Sequence, residues 1–161
     1  MLVGLVSIIT VAQVNGSRPK LVVGIVVDQL RTDYIESLES LFGEKGFKRL
    51  MKEGAYLRDV DFVVANPDAV NATAMIYTGN YPSKNGVVAS SIYNAEKHKS
   101  EASLNDPSSI GNFTTETYSP HNLMLSTISD EVKIDGAGLG AVYSIALDPQ
   151  QAIIMAGHAG N

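Results

Sequence analysis

Cysteine is absent from the 161-residue sequence, which excludes disulfides, thiolate zinc sites and a cysteine nucleophile. Basic residues are scarce: 12 Lys and Arg face 17 Asp and Glu, a formal net charge of −5. Nucleic-acid binders carry a basic face as their electrostatic footprint, so no nucleic-acid partner is expected, and an anionic substrate would need a local cation or metal. Neither Gly-x-Gly-x-x-Gly nor a P-loop follows the first apolar strand, which leaves dinucleotide and nucleoside-triphosphate sites without support. Internal repeats and low-complexity tracts are missing too. The apolar opening, residues 1–10, is too short to span a bilayer. With the small residues around Gly16 it reads as a signal peptide over residues 1–16, although Lys and Arg are lacking near Met1. An exported, periplasmic protein is therefore favoured over a cytosolic one with an apolar first strand, and no membrane role beyond export is expected.

What is present is ordinary globular material, 45% hydrophobic and 18% charged, enough for one domain with a real core. The run Leu21-Val22-Val23-Gly24-Ile25-Val26-Val27-Asp28 is an apolar strand that ends abruptly in a carboxylate. In open α/β sheets, ligands and metals gather beyond the carboxyl ends of the strands. Asp28 therefore either holds something there or caps a helix over residues 29–37.

Tyr34, Ile35, Leu38 and Leu41 recur at helical spacing, and so do Phe47, Leu50 and Met51 before a C′-type stop at Gly54. Residues 55–64 have the composition of a second strand. Asn66-Pro67-Asp68 breaks the chain and offers an N-cap, so a helix is expected over residues 69–77, stopping at Gly79. Residues 81–86 read as a loop and 87–93 as a short strand. The polar stretch 94–120 reads as a surface insert, with room for a small hairpin. Residues 123–134 are amphipathic and helical, and 139–147 form another buried strand. This alternation implies a right-handed, layered α/β/α fold with a mostly parallel sheet.

Arg18-Pro19-Lys20 before the first strand, Gly46-Phe47-Lys48-Arg49-Leu50-Met51-Lys52-Glu53-Gly54, Ile76-Tyr77-Thr78-Gly79, Thr127-Ile128-Ser129-Asp130-Glu131 and Ala152-Ile153-Ile154-Met155-Ala156-Gly157-His158 stand in a telling order and spacing. Together they resemble the alkaline phosphatase superfamily, specifically the periplasmic PafA-type phosphatases related to the type I phosphodiesterases and nucleotide pyrophosphatases. The likeness runs from about Arg18 to Asn161, and it implies that residues 17–161 are the N-terminal part of a core domain in a much longer enzyme. It also implies two zinc ions at the strand ends, a Thr or Ser nucleophile forming a covalent phospho-enzyme, and a phosphate ester as substrate.

Carried over position by position, the resemblance gives an altered site. Asp28 matches the first metal-ligating Asp. The nucleophile position falls on Ala69, whose methyl group can neither attack phosphorus nor ligate zinc. The phosphate-binding Asn is replaced by Ser90, and the Lys-x-Arg pair by Asp148 and Gln150 around Pro149. An anion near a phosphoryl group is repulsive, so Asp148 disfavours a phosphate monoester. Two residues could restore nucleophilic chemistry: Thr73, one helical turn on, and Asp68, as a carboxylate nucleophile or an extra ligand. A mid-helix Thr is more often back-bonded, and an Asp before a helix more often caps it. His158 reads as a packing residue, and His98 and His121 as solvent-facing. Asn15, Asn71 and Asn112 begin glycosylation-type triplets of little weight in a bacterial-looking exported protein.

The function expected is thus that of a fragment of an exported, metal-dependent phosphoric-ester hydrolase with its usual catalytic side chains replaced, inactive in these 161 residues alone. The alternative is a non-catalytic member that keeps the fold and serves as a binding or scaffold protein. A small doubly wound ligand-binding domain unrelated to this family ranks last.

Overall fold

The computed structural model describes residues 19–161, so the expected signal peptide at 1–16 lies outside them. Its elements are helices α1 (Thr32–Leu38), α2 (Phe47–Glu53), α3 (Ala69–Thr78) and α4 (Pro82–Asn85), strands β1 (Ser91–Asn94) and β2 (Lys99–Ala102), and helices α5 (Ile128–Asp135) and α6 (Pro149–Ala156). Short 3-10 turns follow α1 at Glu39–Leu41 and precede α5 at Pro120–Asn122.

The core gathers around α3 and α6. Val70 and Ala74 on α3 meet Ile154 on α6, with Val87, Leu104 and Leu123 closing the cluster and Tyr77 and Ile153 packed against it. Leu104 is fully buried at the centre of this cluster, although it lies inside the polar stretch 94–120. Within that stretch β1 and β2 pair antiparallel, Ser91 opposite Ala102 and Asn94 opposite Lys99. Glu101 accepts from Lys97, Asn94 and Lys99, contacts that pull its carboxyl down to about 2. β1 thus starts four residues later than the strand expected over 87–93, and its partner follows it in sequence.

The segments 21–27, 55–64 and 139–147 were expected as parallel strands. They carry no ladder among the described residues, where β1 and β2 form the one sheet. A strand is defined by its neighbour's hydrogen bonds, and apolar composition supplies none of them. None of residues 19–69 is buried, and Leu21 and Ile25 are more than three-quarters exposed. The first segment is tied to the core at Gly24, where an added Cβ would lie 2.6 Å from the Tyr77 hydroxyl oxygen. Burial raises that phenol's pKa.

Other boundaries also shift. α2 stops at Gly54 as expected, but in an extended conformation (φ −111°) and not as a left-handed C′ residue. A Cβ there would sit 2.7 Å from the Leu50 carbonyl oxygen, so close approach explains the glycine. The loop expected over 81–86 contains α4, which opens on Pro82 and ends at the left-handed Gly86. α5 starts at Ile128, five residues after the expected start, because Thr127 caps it. α6 went unforeseen, although Asp148-Pro149 and Gly157 bracket it with a standard cap, an N1 proline and a glycine stop.

Candidate functional site

The N-terminus of α3 is the hub. Asp68, the N-cap residue, accepts through Oδ1 from the Val70 and Asn71 backbone N–H groups at 3.0 and 2.9 Å. Asn71 Oδ1 returns the bond from Asp68 N–H at 2.9 Å, completing a capping box. The other carboxylate oxygen, Oδ2, accepts from Ser90 N–H at 2.6 Å. Asp68 therefore joins the helix start to the chain before β1. Asn71 is fully buried and donates through Nδ2 to the Asn66 and Val88 carbonyls, both at 2.9 Å. A glycosylation acceptor cannot be buried in this way, whereas Asn112 is exposed.

Ala69 is the first residue of α3. Its carbonyl accepts from the Thr73 hydroxyl at 2.7 Å and from Gln151 Nε2 at 3.3 Å. Thr73 is 1% exposed, and its oxygen also accepts from Gln151 Nε2 at 3.1 Å. The one hydroxyl proton is committed to the helix backbone, which is the back-bonding habit of a mid-helix Thr.

Gln150 and Gln151 reach this hub from α6. The Gln150 side chain, 6% exposed, donates through Nε2 to the Ser90 carbonyl at 3.0 Å and accepts through Oε1 from Leu104 N–H at 3.1 Å. Asp148 caps α6, its Oδ1 accepting from Gln150 and Gln151 N–H at 2.7 and 3.3 Å. The Tyr118 phenol is raised by burial first and then by the charges of Glu116 and Asp148.

The structure thus brings Asp68, Ala69, Thr73, Ser90, Asp148 and Gln150 together and adds Gln151, which sequence reading passed over. Once α6 is recognised from its cap and glycine stop, Gln150 and Gln151 fall on its first turn, and this was the available signal. Asp28 is exposed in the turn that ends the first apolar segment. Among the described residues, no group of three or more His, Asp or Glu side chains could hold a metal ion. The described residues do not by themselves complete a zinc site.

A second constellation joins α5 to the turn after α6. Asp130 Oδ2 accepts from Thr127 N–H at 2.8 Å and from the Thr127 hydroxyl at 3.0 Å, while Oδ1 accepts from Ala159 N–H at 2.8 Å. Gly157 passes over this carboxylate with φ +73°, and a Cβ there would fall 2.6 Å from Asp130 Oδ1. His158 Nδ1 lies 3.1 Å from Asp130 Oδ2, and Nε2 lies 2.8 Å from the Leu123 carbonyl oxygen. Burial pushes the Asp130 carboxyl up, but the bonds from Thr127, His158 and Ala159 outweigh it and hold it below the usual carboxylate range. His98 and His121 are exposed.

Comparison with known proteins places this geometry. The family described as type I phosphodiesterase / nucleotide pyrophosphatase matches residues 22–143. Alkaline phosphatase PhoV of Synechococcus elongatus is 31% identical over 148 residues, covering 90% of this chain and 27% of the relative. Alkaline phosphatase PafA of Elizabethkingia meningoseptica is 35% identical over 146 residues, covering 88% and 27%. The crystal structure of wild-type alkaline phosphatase PafA superposes with a TM-score of 0.82 at 33% identity, covering 89% of this chain and 28% of that one. The fold is therefore α/β of the alkaline phosphatase type, and the chain spans about a quarter of the length of these relatives.

Proposed function

The chain belongs to the type I phosphodiesterase / nucleotide pyrophosphatase family, within the alkaline phosphatase superfamily, and from that premise we propose that it is the N-terminal part of an exported member in which phosphoryl transfer has been lost. The fold is kept, and the protein serves as a non-catalytic binding or scaffold protein. The observation that carries this reading is the closed hydrogen-bonded set at the start of α3. Ala69 offers no nucleophile, and Gln150 and Gln151 spend their amide groups on Ser90, Leu104, Ala69 and Thr73 instead of facing outward.

A phosphatase site is preorganised by donors aimed at a ligand. Here Gln150, at one of the positions the resemblance gives, donates its amide to the Ser90 carbonyl instead. Loss of one such donor costs about 10² to 10³ in rate, so the changes at Ala69, Ser90, Asp148 and Gln150 together leave little of a monoesterase. Thr73 is a poor substitute nucleophile, because it is buried and bonded to its own helix. Asp68 is equally committed, with three backbone N–H groups on its two oxygens. Export to the periplasm belongs to the same reading, supported by the family and by the apolar opening of the sequence, and Asp28 would be one carboxylate of a metal site that the described residues do not complete.

The test is hydrolysis of p-nitrophenyl phosphate and its bis-ester by the full-length gene product purified with zinc, with Thr73→Ala assayed beside it. The expected result is no turnover above background in either. Turnover that vanishes in Thr73→Ala would overturn the reading and identify a working hydrolase, and turnover in both proteins would overturn it through a nucleophile outside this stretch.

A further inference from the structure

The clasp between Asp130 and His158 carries a chemical consequence independent of the α3 hub. The two ring nitrogens of His158 face two oxygens, Asp130 Oδ2 and the Leu123 carbonyl. A carbonyl never donates, and an ionised carboxylate does not either. Neutral imidazole carries one N–H and one lone pair, so it satisfies one of these contacts and sets a lone pair against an oxygen in the other. The imidazolium donates to both.

We propose that His158 is a protonation-dependent fastener: as the imidazolium it pins the turn after α6 to α5 and to Leu123, and when it releases one proton to solvent the turn loosens. The groups around it set the stage. From α5 come Asp130, 4% exposed, and Lys133, whose Nζ donates to the Ala159 carbonyl at 2.6 Å and to Asn161 Oδ1 at 2.8 Å. From the segment before α5 comes the uncharged Leu123 carbonyl, with His121 exposed two residues earlier. Lys133 holds the same turn by these two bonds of its own, so the loosening is local to residues 157–159. The His158 side chain is 42% exposed, which lets protons exchange with solvent without unfolding. Gly157 makes the turn specific, because its left-handed backbone and its approach to Thr127 and Asp130 exclude a side chain there.

The experiment is hydrogen exchange by mass spectrometry on the full-length gene product from pH 5.5 to 8.5, read on the peptide covering 153–161 and corrected for the intrinsic pH dependence of exchange. Wild-type protection should fall roughly tenfold as the pH rises, the order expected when one charge-assisted hydrogen bond is lost. His158→Gln cannot titrate and should show a pH-independent value. A flat wild-type profile, or the same slope in His158→Gln, would overturn the proposal. Asp130→Asn should likewise flatten the profile, and if that variant fails to fold, His158→Gln decides alone. Because the readout is exchange and not turnover, the outcome is separable from that of the phosphatase assay.

Discussion

Residues 19–65 and residues 66–106 teach opposite lessons about what holds this chain together. The first stretch contains the most apolar run in the sequence, yet none of its residues is buried, and its ion pairs, such as Arg58 with Glu36 and Arg49 with Glu53, are exposed. The second is rich in Asn and Ser, yet Val70, Asn71, Ala74, Asn85, Val87 and Leu104 are almost wholly buried. The difference lies in who satisfies the backbone. In 66–106, polar side chains bond to main-chain groups far along the sequence, as Asn71 does to Val88 and Asp68 to Ser90. In 19–65 the apolar segments carry no ladder among the described residues, and their apolar side chains stay largely exposed.

The largest effect expected from this contrast is association. Extended apolar segments with unpaired backbone invite pairing with other chains. Sedimentation of the 161-residue chain on its own should show species larger than a monomer. A monomer that melts in one cooperative transition would break the comparison.

The next effect sharpens it. Leu104→Ala opens a cavity in the middle of the core and should cost about 2–5 kcal/mol in urea unfolding of the full-length gene product. A cost near that of an exposed substitution would mean that the cluster of α3, α6 and Leu104 does not carry the stability assigned to it. Asn71→Ala should follow. It leaves the buried side of the Asn66 and Val88 carbonyls and of Asp68 N–H without partners, at about 1–3 kcal/mol for each group that water cannot reach.

Helix α3 and its Asp68 cap were legible because caps and glycine stops are local: Asp68, Gly79 and the apolar spacing of 69–77 mark α3 within one residue. The alkaline phosphatase likeness was legible from motif order. The strands were not, since 55–64 and 139–147 carry the right composition but a ladder is a non-local property. At the candidate site, the Ala69, Ser90, Asp148 and Gln150 positions come from the family resemblance and stand in one hydrogen-bonded neighbourhood. That Gln150 bonds to residues 46 and 60 positions away could not be read from the sequence, because nothing in a glutamine's neighbours announces a partner so distant. The Asp130–His158 contact was missed for the same reason, and Gln151 because α6 was not recognised from its local cap.

Acid tests the polar side of the comparison. Asp130 sits below the usual carboxylate range in the folded protein, so it contributes stability above the unfolded-state value, about 3.9 for Asp, and that contribution is lost as pH falls through the lower folded value. The urea midpoint should therefore drop more steeply below about pH 4 in the wild type than in Asp130→Asn. Equal slopes would show that the clasp adds nothing in this range.

Arg49→Ala marks the small end. Arg49 Nε lies 2.8 Å from Glu53 Oε2 one turn along α2, a geometry as good as any bond in the buried hub. Both side chains are more than half exposed, however, and water competes for each partner as well as it does in the unfolded chain. The expected cost is about 0.3–0.5 kcal/mol, shrinking in salt, against several times that for Asn71→Ala at similar bond lengths. If the two substitutions cost the same in urea unfolding of the full-length product, distance and not burial would govern the strength of polar contacts here, and the contrast between the two stretches would lose its physical basis.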